Sequence, residues 1–176
     1  MYKFKPYGPF PVPVEDGRVV EQELKIFWRE IEERHSGLSS GIGCYIFGAQ
    51  TAKSSRPWYV GKTERRSFKG EAFQVHKLHL YQNAVLNRIG QGTPVLYLIA
   101  RLTPSGKLRK AASGEQGVGS VKLLEQLLIG NCLRKNPDLA NKANTIYLKR
   151  MRVPGFLNDT PGAPSREAKA LAKVIG

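Results

Sequence analysis

The feature that most restricts the fold of this chain is a change of hydrophobic period between residues 41 and 61. In Gly41-Ile42-Gly43-Cys44-Tyr45-Ile46-Phe47, the side chains of Ile42, Cys44 and Ile46 fall on one face and those of Tyr45 and Phe47 on the other. That period of two belongs to a strand. A polar run from Gln50 to Pro57 follows, then Trp58-Tyr59-Val60-Gly61, and the pair of runs predicts a β-hairpin with a long connection. On either side the period is helical. Val20, Leu24, Phe27, Trp28 and Ile31 predict an acidic amphipathic helix over residues 18–35. Phe68, Ala72, Val75 and Leu78 open a second helix over 67–89, with a break expected near Gln82-Asn83. Residues 94–100 are the most strand-like run in the chain. Residues 121–134 form its most hydrophobic helix, closed by Asn136-Pro137.

The remaining segments are additions to this plan. Pro6, Pro9, Pro11 and Pro13 fix φ and remove backbone donors, which predicts an extended arm over residues 1–14. Residues 144–153 read as a short basic strand and 165–174 as an amphipathic tail helix. The expected architecture is α+β: a small central antiparallel or mixed sheet of about three strands, flanked by helices. An N-terminal helical extension and a C-terminal tail helix decorate it. The expected organisation is an arm and acidic helix over 1–37, a core over 38–153, and a linker with the tail helix over 154–176.

Charge narrows the function. The chain has 176 residues, with 28 Lys and Arg against 14 Asp and Glu, a net charge of +14. Residues 1–60 carry 8 basic and 7 acidic side chains, whereas residues 61–176 carry 20 and 7. A solvated surface needs no such asymmetry, and a polyanion-binding face does. Nucleic acid is the commonest polyanion. The two cysteines, Cys44 and Cys132, are too few for a disulfide framework or a cysteine zinc cluster. No apolar run reaches 18 residues and the N-terminus has no apolar leader, so a cytoplasmic protein without a membrane span is expected.

One residue conflicts with its surroundings. Glu125 lies on the helical row Val121, Glu125, Ile129, with Leu124 and Leu128 beside it. A carboxylate held among apolar side chains costs several kcal/mol unless a cation, hydrogen-bond donors or a metal ion compensate it. A flanking ion pair is one solution and an active-site carboxylate another. The other acids of the basic half are Glu64, Glu71, Glu115, Asp138, Asp159 and Glu167, and none lies three or four residues from Glu125. A two-metal carboxylate cluster is therefore not supported by spacing. His35, His76 and His79 form no i,i+4 pair either.

The ordered set Gly43-Cys44-Tyr45, thirteen intervening residues, then Tyr59-Val60-Gly61-Lys62 resembles the paired signature of the GIY-YIG nuclease superfamily. The helix, strand and Glu-bearing helix that follow fit the resemblance, as does the ending Pro137-Asp138-Leu139-Ala140-Asn141. Cys44 stands where that family has Ile, and Lys69 where it usually has Arg. An ammonium does not reproduce the planar fork of a guanidinium, so Arg65 and Arg66 are weighed as substitutes. The resemblance implies a metal-dependent endonuclease that hydrolyses phosphodiester bonds, in DNA rather than RNA, with one Mg²⁺ or Mn²⁺ on Glu125. It implies Tyr45 as general base, with Lys62 beside it because a phenol ordinarily titrates near 10. Tyr59 would orient the water or the phosphate, and Lys69, Arg65 or Arg66 would take transition-state charge. His76 and Asn141 would contact nucleic acid. The rival is a catalytically inactive nucleic-acid-binding module that keeps the fold. A further reading is a binder of RNA or another acidic partner, with the acidic first helix docking a protein or covering the basic face.

Overall fold

A computed structural model describes residues 1–52, 54–84, 86, 92–111, 118–141, 145–155 and 162–175. The chain divides into two compact units, Met1–Ala140 and Asn141–Gly176.

The first unit is α+β and is built on a four-stranded antiparallel sheet. Strands β1 (Lys3–Pro11), β4 (Gly43–Gln50), β5 (Ser55–Thr63) and β6 (Thr93–Leu102) lie in the order β1-β6-β4-β5. The short strands β2 (Val14–Glu15) and β3 (Arg18–Val19) form a separate hairpin. Helix α1 (Leu24–Arg34) follows it, then α2 (Phe68–Glu71) and α3 (Val75–Ala84) after β5, and α4 (Gly119–Lys135) after β6. The expected hairpin is β4-β5, in the register Tyr45↔Gly61 and Phe47↔Tyr59. The fourth strand corrects the expected three. The Pro-rich arm is not a free extension, because Lys3–Tyr7 and Phe10–Pro11 pair with β6. Proline tolerates this position because β1 is an edge strand, where half of the backbone donors have no neighbour to serve.

The two faces of the sheet are covered differently. Tyr45 and Phe47 lie on the face packed by α1 and α3: the Phe47 ring stacks on Tyr81 at 3.6 Å, and Phe73 meets Phe27 and Phe47 edge-on at 5.6 and 5.9 Å. Phe27, Trp28 and Ile31 supply the buried stripe of α1. Each such side chain contributes about 1.5–3 kcal/mol when withdrawn from water. On the opposite face Cys44 Sγ donates to the Val121 carbonyl oxygen of α4 at 3.4 Å. Burial, with Glu125 next, pushes the Cys44 thiol up to about 12, so it is an inert core group.

Three further boundaries differ from the sequence reading. Helix α1 starts at Leu24, not residue 18, because residues 14–19 close the β2-β3 hairpin around Asp16 and Gly17, which both have positive φ. The helix expected over 67–89 breaks at residues 72–74, not near Gln82-Asn83. Its expected end at Ile89-Gly90 lies outside the described residues. The strand expected over 144–153 is instead helix α5 (Thr145–Arg150) of the second unit, at whose first residue Thr145 Oγ1 donates to the Asn141 carbonyl oxygen at 2.7 Å. That unit also holds α6 (Arg166–Ile175), the expected tail helix, capped by Ser165 Oγ accepting from the Ala168 amide at 3.1 Å. Among the described residues no helix is long and apolar enough to cross a membrane.

Candidate functional site

The site sits along β5, the strand that ends the sheet order. Along its first half that strand is covered by the segment after α4. Asn136 is fully buried there: its Nδ2 donates to the Pro57 carbonyl oxygen at 2.7 Å, and its Oδ1 accepts from Arg56 at 2.8 Å and from the Asp138 amide at 3.0 Å. The Ala140 amide donates to the Trp58 carbonyl oxygen at 2.8 Å. A cleft of about 500 Å³ opens, lined by Tyr59, Lys62, Thr63, Glu64, Arg65, Arg66, Glu71, Lys77 and Glu125.

Three kinds of local structure aim these groups. Strand β5 supplies Tyr59 and Lys62, whose side chains leave opposite faces of the edge strand and reach the same opening. The bend after β5 supplies Glu64, Arg65 and Arg66, and is held by Thr63 Oγ1 donating to the Arg66 carbonyl oxygen. Ser67 then caps α2 by accepting from the Gly70 amide at 3.2 Å. Helix α4 supplies Glu125 and helix α3 supplies Lys77.

Glu125 is half-buried. Leu124 and Leu128 beside it are likewise half-buried, whereas Leu123 and Leu127 on the far side of the helix are each 58% exposed. The apolar walls are the buried Val121 and Ile129 of its own row, and the open side is the cleft. Burial raises the Glu125 pKa; Lys62 opposes that rise and Glu64 adds to it. Glu64 in turn pairs with Lys62, its Oε2 lying 2.6 Å from Nζ, while its Oε1 is buried without a hydrogen-bond partner among the described residues.

The two motif tyrosines have different surroundings. Tyr45 is fully buried, and its hydroxyl makes no hydrogen bond of normal geometry among the described residues. The nearby Tyr81 hydroxyl donates instead to the Ala72 carbonyl oxygen at 3.0 Å. Burial, then Tyr59 and Glu71, push the Tyr45 pKa well above its ordinary value. A phenol so placed stays protonated near neutral pH, and Tyr45 is not among the residues that line the cleft. Tyr59 does line the cleft, and its oxygen accepts a hydrogen bond from Lys77 Nζ.

The expected cations divide in the same way. Lys62, Arg65 and Arg66 line the cleft, whereas Lys69 and His76 are exposed and do not. Asn141 begins the second unit, so the buried amide that ties down the segment after α4 in the first unit is Asn136. Sequence reasoning missed Lys77, Glu64 and Glu71. The two acids were tested only for helical spacing to Glu125, and the spacing that unites them with it is tertiary. Lys77 is one of many lysines, and nothing local marks it. Glu115 and Asp159 lie outside the described residues. Among the described residues no group of three His, Cys, Asp or Glu side chains is arranged to hold a metal ion.

The chain matches no known family, no curated protein and no solved structure. The functional reading therefore rests on the chemistry of the cleft.

Proposed function

We propose that the cleft on the β5 edge hydrolyses phosphodiester bonds, making the protein a metal-dependent endonuclease of GIY-YIG type with DNA as its substrate. The observation that carries the proposal is the meeting of a half-buried carboxylate (Glu125), a phenol (Tyr59) and a ring of cations (Lys62, Lys77, Arg65, Arg66) in one opening. Phosphodiester hydrolysis needs charge stabilisation at phosphorus, an oriented water and help for the leaving oxygen.

The donor set fits a single divalent ion of the Mg²⁺ class. Such an ion is commonly held by one or two carboxylates, with waters and substrate phosphate completing its shell. Glu64 is paired with Lys62, which leaves Glu125 and Glu71 as the unpaired cleft carboxylates among the described residues, and Glu125 is the one the family resemblance marks. When bound, the ion would supply Lewis-acid stabilisation of the phosphate and of the leaving oxygen. Arg65 and Arg66, exposed on the rim, draw the nucleic-acid backbone in. Tyr59, held by Lys77, presents its hydroxyl to the water or to a phosphate oxygen. Tyr45 supports the hairpin from within and touches no substrate.

The test is nicking of supercoiled plasmid with Mg²⁺ or Mn²⁺ and with chelator, for the wild type and Glu125→Ala. Metal-dependent nicking lost in the variant is expected. Nicking in chelator, or equal nicking by the variant, refutes the proposal. The inactive binding module is the second reading, and it draws on the exposure of Lys69, which leaves the cleft without a cation at the expected helix position. It requires salt-sensitive binding with no cleavage under either metal.

A further inference from the structure

The cations of the cleft are not equivalent. Lys62 is already neutralised: its ammonium lies 2.6 Å from the Glu64 carboxylate, with the two side chains only 29% and 13% exposed. Arg65 and Arg66 are exposed. Lys77 is partly buried, and among the described residues it has no ion pair with a carboxylate. Its recorded partner is neutral: Nζ donates to the Tyr59 oxygen and lies 4.7 Å from the centroid of that ring. A phenol satisfies one of the three ammonium donors and none of its charge. Glu125 across the cleft attracts this ammonium without forming an ion pair with it, so the charge is only partly compensated until a closer anion joins it. Because the Tyr59 oxygen already accepts from Lys77, its own O–H is left to point elsewhere, and no described group accepts it. The pair thus offers an anionic oxygen several donors from one place.

We propose that Lys77 and the Tyr59 hydroxyl together form the seat for a non-bridging phosphate oxygen of the substrate, ahead of Lys62. The inference rests on the reading that the cleft takes a phosphodiester, and it adds a residue that no sequence motif marks. A phosphate oxygen suits the seat because charge-assisted bonds from an ammonium and a hydroxyl are its ordinary recognition. Lys62 must first release Glu64, whereas Lys77 has no carboxylate to release.

The experiment measures binding without cleavage: fluorescence anisotropy of a labelled DNA duplex in chelator, over a range of salt, with circular dichroism to check the fold. Lys77→Met is expected to weaken binding about tenfold and to lower the salt slope by about one counterion. Lys77→Arg keeps binding within about twofold and Tyr59→Phe weakens it about threefold, the charge being retained in both. The double variant Lys62→Met/Glu64→Gln, which deletes an internally neutral pair, weakens binding less than Lys77→Met does. Wild-type affinity in Lys77→Met, or an equal loss in the double variant, overturns the seat. Should Lys77→Met fail to fold, wild-type affinity in Tyr59→Phe overturns it instead. Duplex that binds through Lys77 yet stays uncut with Mg²⁺ removes the nuclease and leaves the seat. Nicking that accompanies unchanged binding by Lys77→Met does the reverse.

Discussion

Strands β4 and β5 are partners in one hairpin with opposite assignments. Strand β4 is central, bonded on both edges by β5 and β6, and Cys44, Tyr45 and Phe47 are withdrawn from solvent. Strand β5 ends the sheet order with a single neighbouring strand, and its Tyr59, Lys62 and Thr63 line the cleft. The same residue type is therefore wholly internal at Tyr45, whereas Tyr59, also buried at 8% exposed, lines the cleft as well. An edge strand is usually a liability that a protein covers or charges. Here its first half is covered by Asn136 and Ala140, and residues of its second half line a cleft of cations and carboxylates.

The two motif glycines sharpen the contrast. A Cβ on Gly43, whose φ is +152°, would lie 2.1 Å from the Ile99 carbonyl oxygen of β6. Backbone cannot yield there, so Gly43→Ala is expected to lose about 4 kcal/mol or more, or to prevent folding, as measured by urea denaturation. A Cβ on Gly61 would lie 2.2 Å from Cζ of Tyr45, the tyrosine across the register. Gly61→Ala should cost about 3 kcal/mol and abolish nicking, because it displaces a fully packed ring beneath the cleft. If Gly61→Ala proved as stable as the wild type, the picture of Tyr45 as a fixed support would fail.

Phenylalanine at the two tyrosines separates the strands by function. Tyr59→Phe is expected to fold normally and to lower the nicking rate about a hundredfold, since it deletes the hydroxyl that opens on the cleft. Tyr45→Phe should keep nicking and gain up to about 1 kcal/mol, because it removes a buried hydroxyl with no hydrogen bond of normal geometry. Reversed results would return the catalytic phenol to β4.

The smallest effect concerns Glu125. Its folded-state pKa is raised, so at neutral pH the ionised carboxylate is slightly destabilising; below the unfolded value the group is protonated in both states and contributes nothing. Glu125→Gln should therefore melt about 1–2 °C higher at neutral pH, with nicking lost. The gain should fade as pH falls through the raised folded value toward the ordinary glutamate range. A stability gain that grows in acid would reverse this account.

Much of the fold was readable because its cues are local. The period of two at Ile42–Phe47, the helical row of Phe27, Trp28 and Ile31, and the stop at Asn136-Pro137 each act within a few residues. Strand β1 was not readable, since three prolines depress any strand propensity and only pairing with β6 overrides them. Residues 145–150 failed for a similar reason: β-branched Thr145 and Ile146 suggest a strand, whereas the folded chain is helical there.

The sequence by itself determined a basic second half, a hairpin between helices, and one acid on an otherwise apolar helical row. Those properties are sums and periods along the chain, so no folding is needed to read them. Only the tertiary structure decided which tyrosine meets the cleft, that Glu64 neutralises Lys62, and that Lys77 reaches Tyr59 from a separate helix. Burial and charge pairing are properties of neighbours in space, and residues 59, 64, 77 and 125 become neighbours only when β5 takes the edge of the sheet.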